Sequence, residues 1–255
     1  MNIVVTLKHI PSLADELPLN AKGANLDFDE VDFVLNEFYE QALEQAVLVK
    51  ESSGGAVTAL GVDLIEELDD VLYTALAKGA DKACKIVGDV QPGLDSHTHA
   101  AWLAAAIRDL APDLVLTGVQ AADDLDGQIG PMLAAHLDMP YIGVVTGLEV
   151  SGGVVTVHKE FAGGIVAAIE VDLPCVAGIQ AAEKPPRYAP ISKIRQIAKT
   201  ARIEEIEAAE EAPGAGVTLR RLSKPQVTGR AQMLEGNAKQ AAARIIAIIT
   251  ERGLL

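Results

Sequence analysis

What most constrains this chain is an alternation. Short runs of β-branched and apolar residues recur along its first half, and each is followed by a stretch with helical spacing. Asn2 to Leu7 (NIVVTL), Ala56 to Val62 (AVTALGV), Lys82 to Val87 and Leu114 to Thr117 (LVLT) have strand composition, and the last is apolar enough to lie buried on both faces. Between them, Asn36 to Glu51 carries Tyr39, Ala42, Leu43, Ala46 and Val49 at helical spacing, Leu68 to Lys78 stops at Gly79, and Ser96 to Leu110 is alanine-rich. Strands that alternate with helices predict a parallel, doubly wound α/β layer, because each helix carries the chain back before the next strand begins. Only 4% of residues are aromatic, so Ala, Val, Leu and Ile must build the core.

Beyond a helix at Gln128 to Leu137, stopped by Pro140, the period shifts to two. Tyr141 to Thr146, Val154 to Lys159 and Ile165 to Val171 read as meander strands, and Cys175 to Ile179 as one more. The expected fold is therefore α/β: a doubly wound, mostly parallel sheet with antiparallel edge strands. Ile203 to Gly216 (IEEIEAAEEAPGAG) has the composition of a linker, with 208–216 as the linker proper. It divides a domain over 1–207 from an arm over 217–255, which includes the amphipathic run Ala238 to Arg252 and is too small to bury itself.

Several function classes drop out. With 36 acidic against 21 basic side chains the formal net charge is −15, which argues against a nucleic-acid surface. No apolar run approaches the roughly 20 residues of a membrane span, and the first residues lack a charged segment leading into an apolar one. Cys84 and Cys175 are far apart and outside any CxxC spacing, as buried thiols in a reducing compartment would be; a cytoplasmic protein is expected. GxxxxGK[ST] and GxSxG are absent. His97 and His99, two apart, read as solvated residues at a helix start, while His9, His136 and His158 stand alone, so neither a catalytic group nor a metal set is expected.

Two segments carry chemistry. In Leu114 to Pro131 (LVLTGVQAADDLDGQIGP) an apolar strand runs through a loop with Asp123, Asp124 and Asp126 into Gly127-Gln128-Ile129-Gly130, which opens a helix. Helix N-terminal N–H groups beyond the carboxyl end of a strand suit a phosphate, although an ordinary capped loop has the same spacing. The acids must then face ribose, solvent or the loop's own backbone. The second segment is Pro185-Pro186-Arg187-Tyr188-Ala189-Pro190-Ile191, a proline-stiffened loop leading into a basic helix. Such a loop is either a docking element or a plain surface connection.

Taken in order, Val5-Thr6-Leu7-Lys8, Asn36-Glu37-Phe38-Tyr39, Thr74 to Asp81, Gly118 to Pro131 and Pro186-Arg187-Tyr188 resemble the β subunit of the electron transfer flavoproteins, from Met1 to about Glu207. The resemblance implies a domain of adenine-nucleotide-binding type, with AMP or, in the electron-bifurcating branch, a second FAD. It also implies pairing with an α subunit that holds the electron-carrying FAD, and docking of acyl-CoA or other dehydrogenases. Carried over by position, the nucleotide site comprises Thr6, Asn36, Glu37, Phe38, Tyr39, Gly61, Val62, Gly118, Val119, Gln120, Ala121, Ala122, Asp123, Asp124, Leu125, Asp126, Gly127, Gln128 and Ile129. Phe38 would also approach the partner's flavin.

Arg187, Tyr188 and Ile191 would dock partners, within a recognition loop near 184–200. The arm over 217–255 would pack on the α subunit. Gly127 and Ile129 stand where the AMP-binding branch has Asn and Thr, which is expected to leave room and an apolar wall. Gly130-Pro131 matches the bifurcating branch, whereas Asp124 stands where that branch usually has Gly. Such a subunit performs no bond chemistry of its own. The alternative is a stand-alone nucleotide-binding regulatory or ATP-hydrolysing module of the same fold.

Overall fold

The computed structural model describes residues 1–255 apart from 15, 89–93, 125, 210–218, 225–228, 230, 232 and 255. They divide into two units, Met1–Leu222 and Ser223–Leu255. The first begins β1 (Asn2–Leu7), β2 (His9–Pro11), β3 (Phe33–Leu35), α1 (Glu37–Ser53), β4 (Ala56–Val62), α2 (Asp69–Lys78), β5 (Lys82–Val87), α3 (Ser96–Leu110) and β6 (Leu114–Gly118). It continues α4 (Ile129–Leu137), β7 (Tyr141–Val145), β8 (Gly147–Ser151), β9 (Val154–Phe161), β10 (Ile165–Asp172), β11 (Cys175–Ile179), α5 (Ile191–Ala198) and β12 (Glu204–Glu207). The second unit carries α6 (Ala238–Glu251). Among the described residues, no helix is long and apolar enough to cross a membrane.

The main sheet is parallel, with strand order β12-β5-β4-β1-β6-β11-β7. From β1 the chain steps to β4 and β5 on one side, then returns through α3 to β6 on the other, so the strand order reverses between β1 and β6. That reversal opens a crevice beyond the carboxyl ends of the two strands. The alternation within β1 shows how the layers form. Ile3, Val5 and Leu7 join the core on one face with Leu43, Ala46 and Leu72 of α1 and α2, while Val4 joins Leu103, Ile107 and Leu133 of α3 and α4 on the other. Ala42, Ala46, Ala75, Ala100 and Ala104 are fully covered; their single methyl groups let the helices lie close to the sheet, which is how a core poor in aromatics still fills.

The expected antiparallel strands are present, but they do not edge the main sheet. Tyr141–Val145 pairs in parallel with β11, and β8, β9 and β10 form a separate sheet whose Leu148, Val155 and Val157 pack onto the α1 face. The acidic start of the expected linker is also ordered: Glu204–Glu207 is the parallel edge strand β12 beside β5. Only Ile206 packs against the core, so the strand shows almost no alternation in sequence, and its carboxylates lie on an edge where charge discourages strand addition. Residues 210–216 of the linker lie outside the described residues. His99 departs from expectation as well. His97 is exposed, but His99 is buried on the inner face of α3, one turn before Trp102 and Leu103. Burial, and then the charge of Lys8, hold its pKa down to about 3.

Candidate functional site at the strand-order reversal

After β1 the chain makes a narrow ribbon, β2 paired with β3, which returns it to the same crevice: Asn36 N–H donates to the carbonyl of Lys8 at 2.9 Å. Asn36, in extended geometry, then caps α1. Its Oδ1 accepts from Phe38 N–H at 3.0 Å and Tyr39 N–H at 3.3 Å. The head of α1 is therefore pinned beside the end of β1. Tyr39 turns inward and packs on Gly118 at the end of β6, where any Cβ would run into the ring. Burial, followed by the charges of Asp124 and Asp123, raises the Tyr39 pKa well above its ordinary value.

From Gly118 the loop closes on itself through Asp124. Its Oδ1 accepts from Ala121 N–H at 3.0 Å and Gly127 N–H at 3.4 Å, and its carboxylate is 3% exposed. Lys8, 4% exposed, sits between Asp123 at 2.7 Å and Asp124 at 3.4 Å. Asp124 thus faces the loop's own backbone and a buried ammonium; Asp126 is exposed. Gly127 has a φ of +63°, and a Cβ there would run into the carbonyl of Val119, so no side chain fits. Gln128 leads into α4 without a side-chain cap. The N–H groups of Ile129 and Gly130 lie ahead of the helix's own hydrogen-bond ladder, which starts with Met132 N–H to the carbonyl of Gln128 at 3.1 Å.

The residues expected at the site separate into groups. Asn36, Glu37, Phe38, Gln120, Ala121 and Ala122 line one cavity of about 420 Å³, joined by Ile10, Pro11, Leu13, Val34 and Leu35. Val119, Gln120, Asp126 and Gly127 line a second of about 490 Å³, with Tyr141, Val144 and Lys159. Thr6, Gly61 and Val62 are buried in the sheet: Thr6 Oγ1 lies 3.5 Å from the carbonyl of Leu116, and a Cβ on Gly61 would stand 2.7 Å from Leu68. Ile129 is 1% exposed and belongs to the core. The expected room and apolar wall at Gly127 and Ile129 are therefore not there, since backbone fills the first position and the core takes the second. Leu125 lies outside the described residues.

The lysine after β1 and the apolar wall from β2 and β3 were missed by sequence reasoning. Their signals are a charge placed directly behind an apolar strand and the triplet Phe33-Val34-Leu35 before the capping Asn36. The set is compatible with a nucleotide. It combines an apolar wall, a helix start whose first N–H groups precede the helix's own ladder, and a buried hydroxyl, Thr117 Oγ1, which has no hydrogen-bond partner and would lie 3.0 Å from a Cβ on Gly130.

The loop at 184–191 is held at two points. Arg187 donates from Nε and Nη2 to Glu44 at 3.0 and 2.8 Å and from Nη1 to Glu51 at 2.6 Å, and its backbone N–H donates to Glu44 at 2.9 Å. Hydrogen bonds donated to Glu51 and Glu44 raise the guanidinium pKa, and the contact with Arg187 lowers that of Glu51. Lys193 Nζ donates to the carbonyl of Ala77 at the end of α2, at 2.6 Å. Between these anchors Tyr188 is 81% exposed and Ile191 61% exposed. The guanidinium of Arg187 is thus committed to α1, and the outward-facing groups are Tyr188 and Ile191.

A family model described as the electron transfer flavoprotein domain matches residues 25–211. The chain is 33% identical to an electron transfer flavoprotein subunit beta of Methylophilus methylotrophus, over 98% of each chain. It is 29% identical to a subunit of the same description from Clostridium acetobutylicum, again over 98% of each. It is also 30% identical to the caffeyl-CoA reductase-Etf complex subunit CarD of Acetobacterium woodii, over 76% of this chain and 74% of that one. With the sheet, the reversal point and the loop set together in this way, the chain belongs to the electron transfer flavoprotein family, on its β-subunit side.

Proposed function

We propose that this chain is the nucleotide-binding, partner-docking half of a heterodimeric electron carrier: it holds an adenine nucleotide in the crevice between β1 and β6, and electrons pass through an FAD held by an α subunit. The observation that carries this reading is the convergence of the α1 head and the Gly118 to Gln128 loop on one crevice at the reversal point. The chain's own residues bind and position. Asn36, Phe38 and Gln120 line the apolar cavity, and the first turn of α4 offers its N–H groups to a phosphate. The flavin, when bound, supplies the redox chemistry.

The nucleotide is AMP or a second FAD. Asp124 sets no free charge against a pyrophosphate, because its carboxylate is taken up by Lys8 and by backbone N–H groups. Gly127 and Ile129 open no space that would favour the longer ligand. Acid denaturation of the purified heterodimer, with the released nucleotides counted by chromatography, decides. One FAD with one AMP marks a simple carrier, and two FAD mark the bifurcating branch. One FAD with no second nucleotide overturns the site.

Docking rests on Tyr188 and Ile191, presented between the Arg187 and Lys193 anchors. The name of the relative CarD describes a complex with a CoA-linked reductase. That supports an acyl-CoA dehydrogenase or a related flavoenzyme as the partner docked here.

A further inference from the structure

We propose that Lys8 is the positioning residue of the nucleotide loop: its buried ammonium is the counter-charge that lets an acidic loop close and accept a nucleoside phosphate. The inference rests on the nucleotide-site reading above and deepens it. Lys8 follows the last residue of β1, at the strand-order reversal, and is 4% exposed. Its Nζ lies 2.7 Å from Asp123 and 3.4 Å from Asp124, and no other cation pairs with either acid among the described residues. Asp124 is the carboxylate that braces the loop, through the N–H groups of Ala121 and Gly127.

A carboxylate 3% exposed is costly to hold in such a place unless an opposite charge stands beside it. Without Lys8, Asp124 must either turn to solvent and release Ala121 and Gly127, or stay and repel the incoming phosphate together with Asp123 and Asp126. Either way the loop loses the shape that presents the first turn of α4. Lys8 itself does not reach the ligand, because its ammonium is enclosed by the two acids.

The test compares heterodimers made with the α subunit, carrying wild-type chain, Lys8→Met, or the pair Lys8→Met with Asp124→Asn. Nucleotides released by acid are counted as AMP and FAD. Lys8→Met is expected to carry at least about tenfold less of the second nucleotide, as follows from leaving a buried charge unpaired, with the FAD of the α subunit unchanged. The double variant is expected to recover most of it, because an Asn side-chain oxygen still accepts from Ala121 and Gly127 and needs no counter-charge. A side chain that merely fills space would give no such rescue.

If Lys8→Met fails to assemble while the double variant assembles loaded, the proposal also stands. A double variant as empty as Lys8→Met, or one that does not assemble, overturns it. Lys8→Met loaded as fully as wild type overturns Lys8 alone and leaves the nucleotide site in place. Wild type that releases no second nucleotide overturns the site reading and this proposal with it.

Discussion

His99 ties one side chain to the stability of the whole sheet. It is 3% exposed on the inner face of α3, and burial, then Lys8, holds its pKa down to about 3. The folded protein therefore refuses a proton that the unfolded chain accepts below its ordinary value of 6.5. Stability from this residue is fully present above pH 6.5 and is lost as the pH falls toward 3, at about 1.4 kcal/mol per pH unit. Between pH 6.5 and pH 5 the loss is about 2 kcal/mol. His99→Leu removes the proton site, so its unfolding midpoint is expected to fall less than that of wild type between pH 7 and pH 5. Equal falls would show that His99 does not set the acid response. The carboxylates are common to both proteins and cancel in the comparison.

At the scale of elements, the parallel layer was legible because its strands and helices carry clear periods or apolar runs: Leu114 to Leu116 is wholly apolar, and α1 carries its apolar face from Tyr39 to Val49. What escaped is short or one-sided. β2 and β3 have three residues each, too few for a period, and β12 (EEIE) shows a single apolar residue. The loop Gly118 to Gln128 was legible as the turn from a strand into a helix start, but not the burial of Lys8, since a buried lysine and a surface one are written alike.

β7 carries a local strain that no periodicity reveals. Val144 has a φ of +62° and is skipped where Gly143 and Val145 pair with β11, at the edge of the second cavity. A β-branched residue costs about 1–2 kcal/mol in that conformation and Asn costs less. Val144→Asn is therefore expected to melt at or above the wild-type temperature, and a melt several degrees lower would mean that the Val144 side chain supplies packing worth more than its strain. In α5 the anchored loop makes the complementary prediction. Ile191→Ala should slow electron transfer from the cognate dehydrogenase at subsaturating concentration, through loss of an apolar anchor worth roughly 1–3 kcal/mol, with heterodimer yield and flavin content unchanged. Transfer at the wild-type rate would place docking elsewhere.

At the scale of the whole molecule, the two units differ in how they could be stable. Both buried core clusters of the main sheet lie within Met1–Leu222. Ser223–Leu255 is too short to enclose a core of its own. Its helix α6 is nevertheless built to hold its shape. Asn237 Oδ1 accepts from Gln240 N–H at 3.1 Å, and Gln240 Oε1 accepts from Asn237 N–H at 2.9 Å, a reciprocal cap. None of its residues is buried, and Ile245 and Ile246 are 47% and 56% exposed.

A capped helix with an uncovered apolar face is what a segment needs if it is to cover a partner, and in the proposed heterodimer that partner is the α subunit. Covering the remaining exposed area of Ile245, Ile246 and Ile249 would contribute roughly 3 kcal/mol, on the order of a hundredfold in dissociation constant. A chain ended after Leu222 should therefore keep its far-ultraviolet helix and strand signal apart from α6, yet dissociate from the α subunit at much lower dilution than the full chain. Sedimentation across a dilution series reads this directly, and a truncated heterodimer that holds together as well as the full one would mean that α6 covers no part of the α subunit.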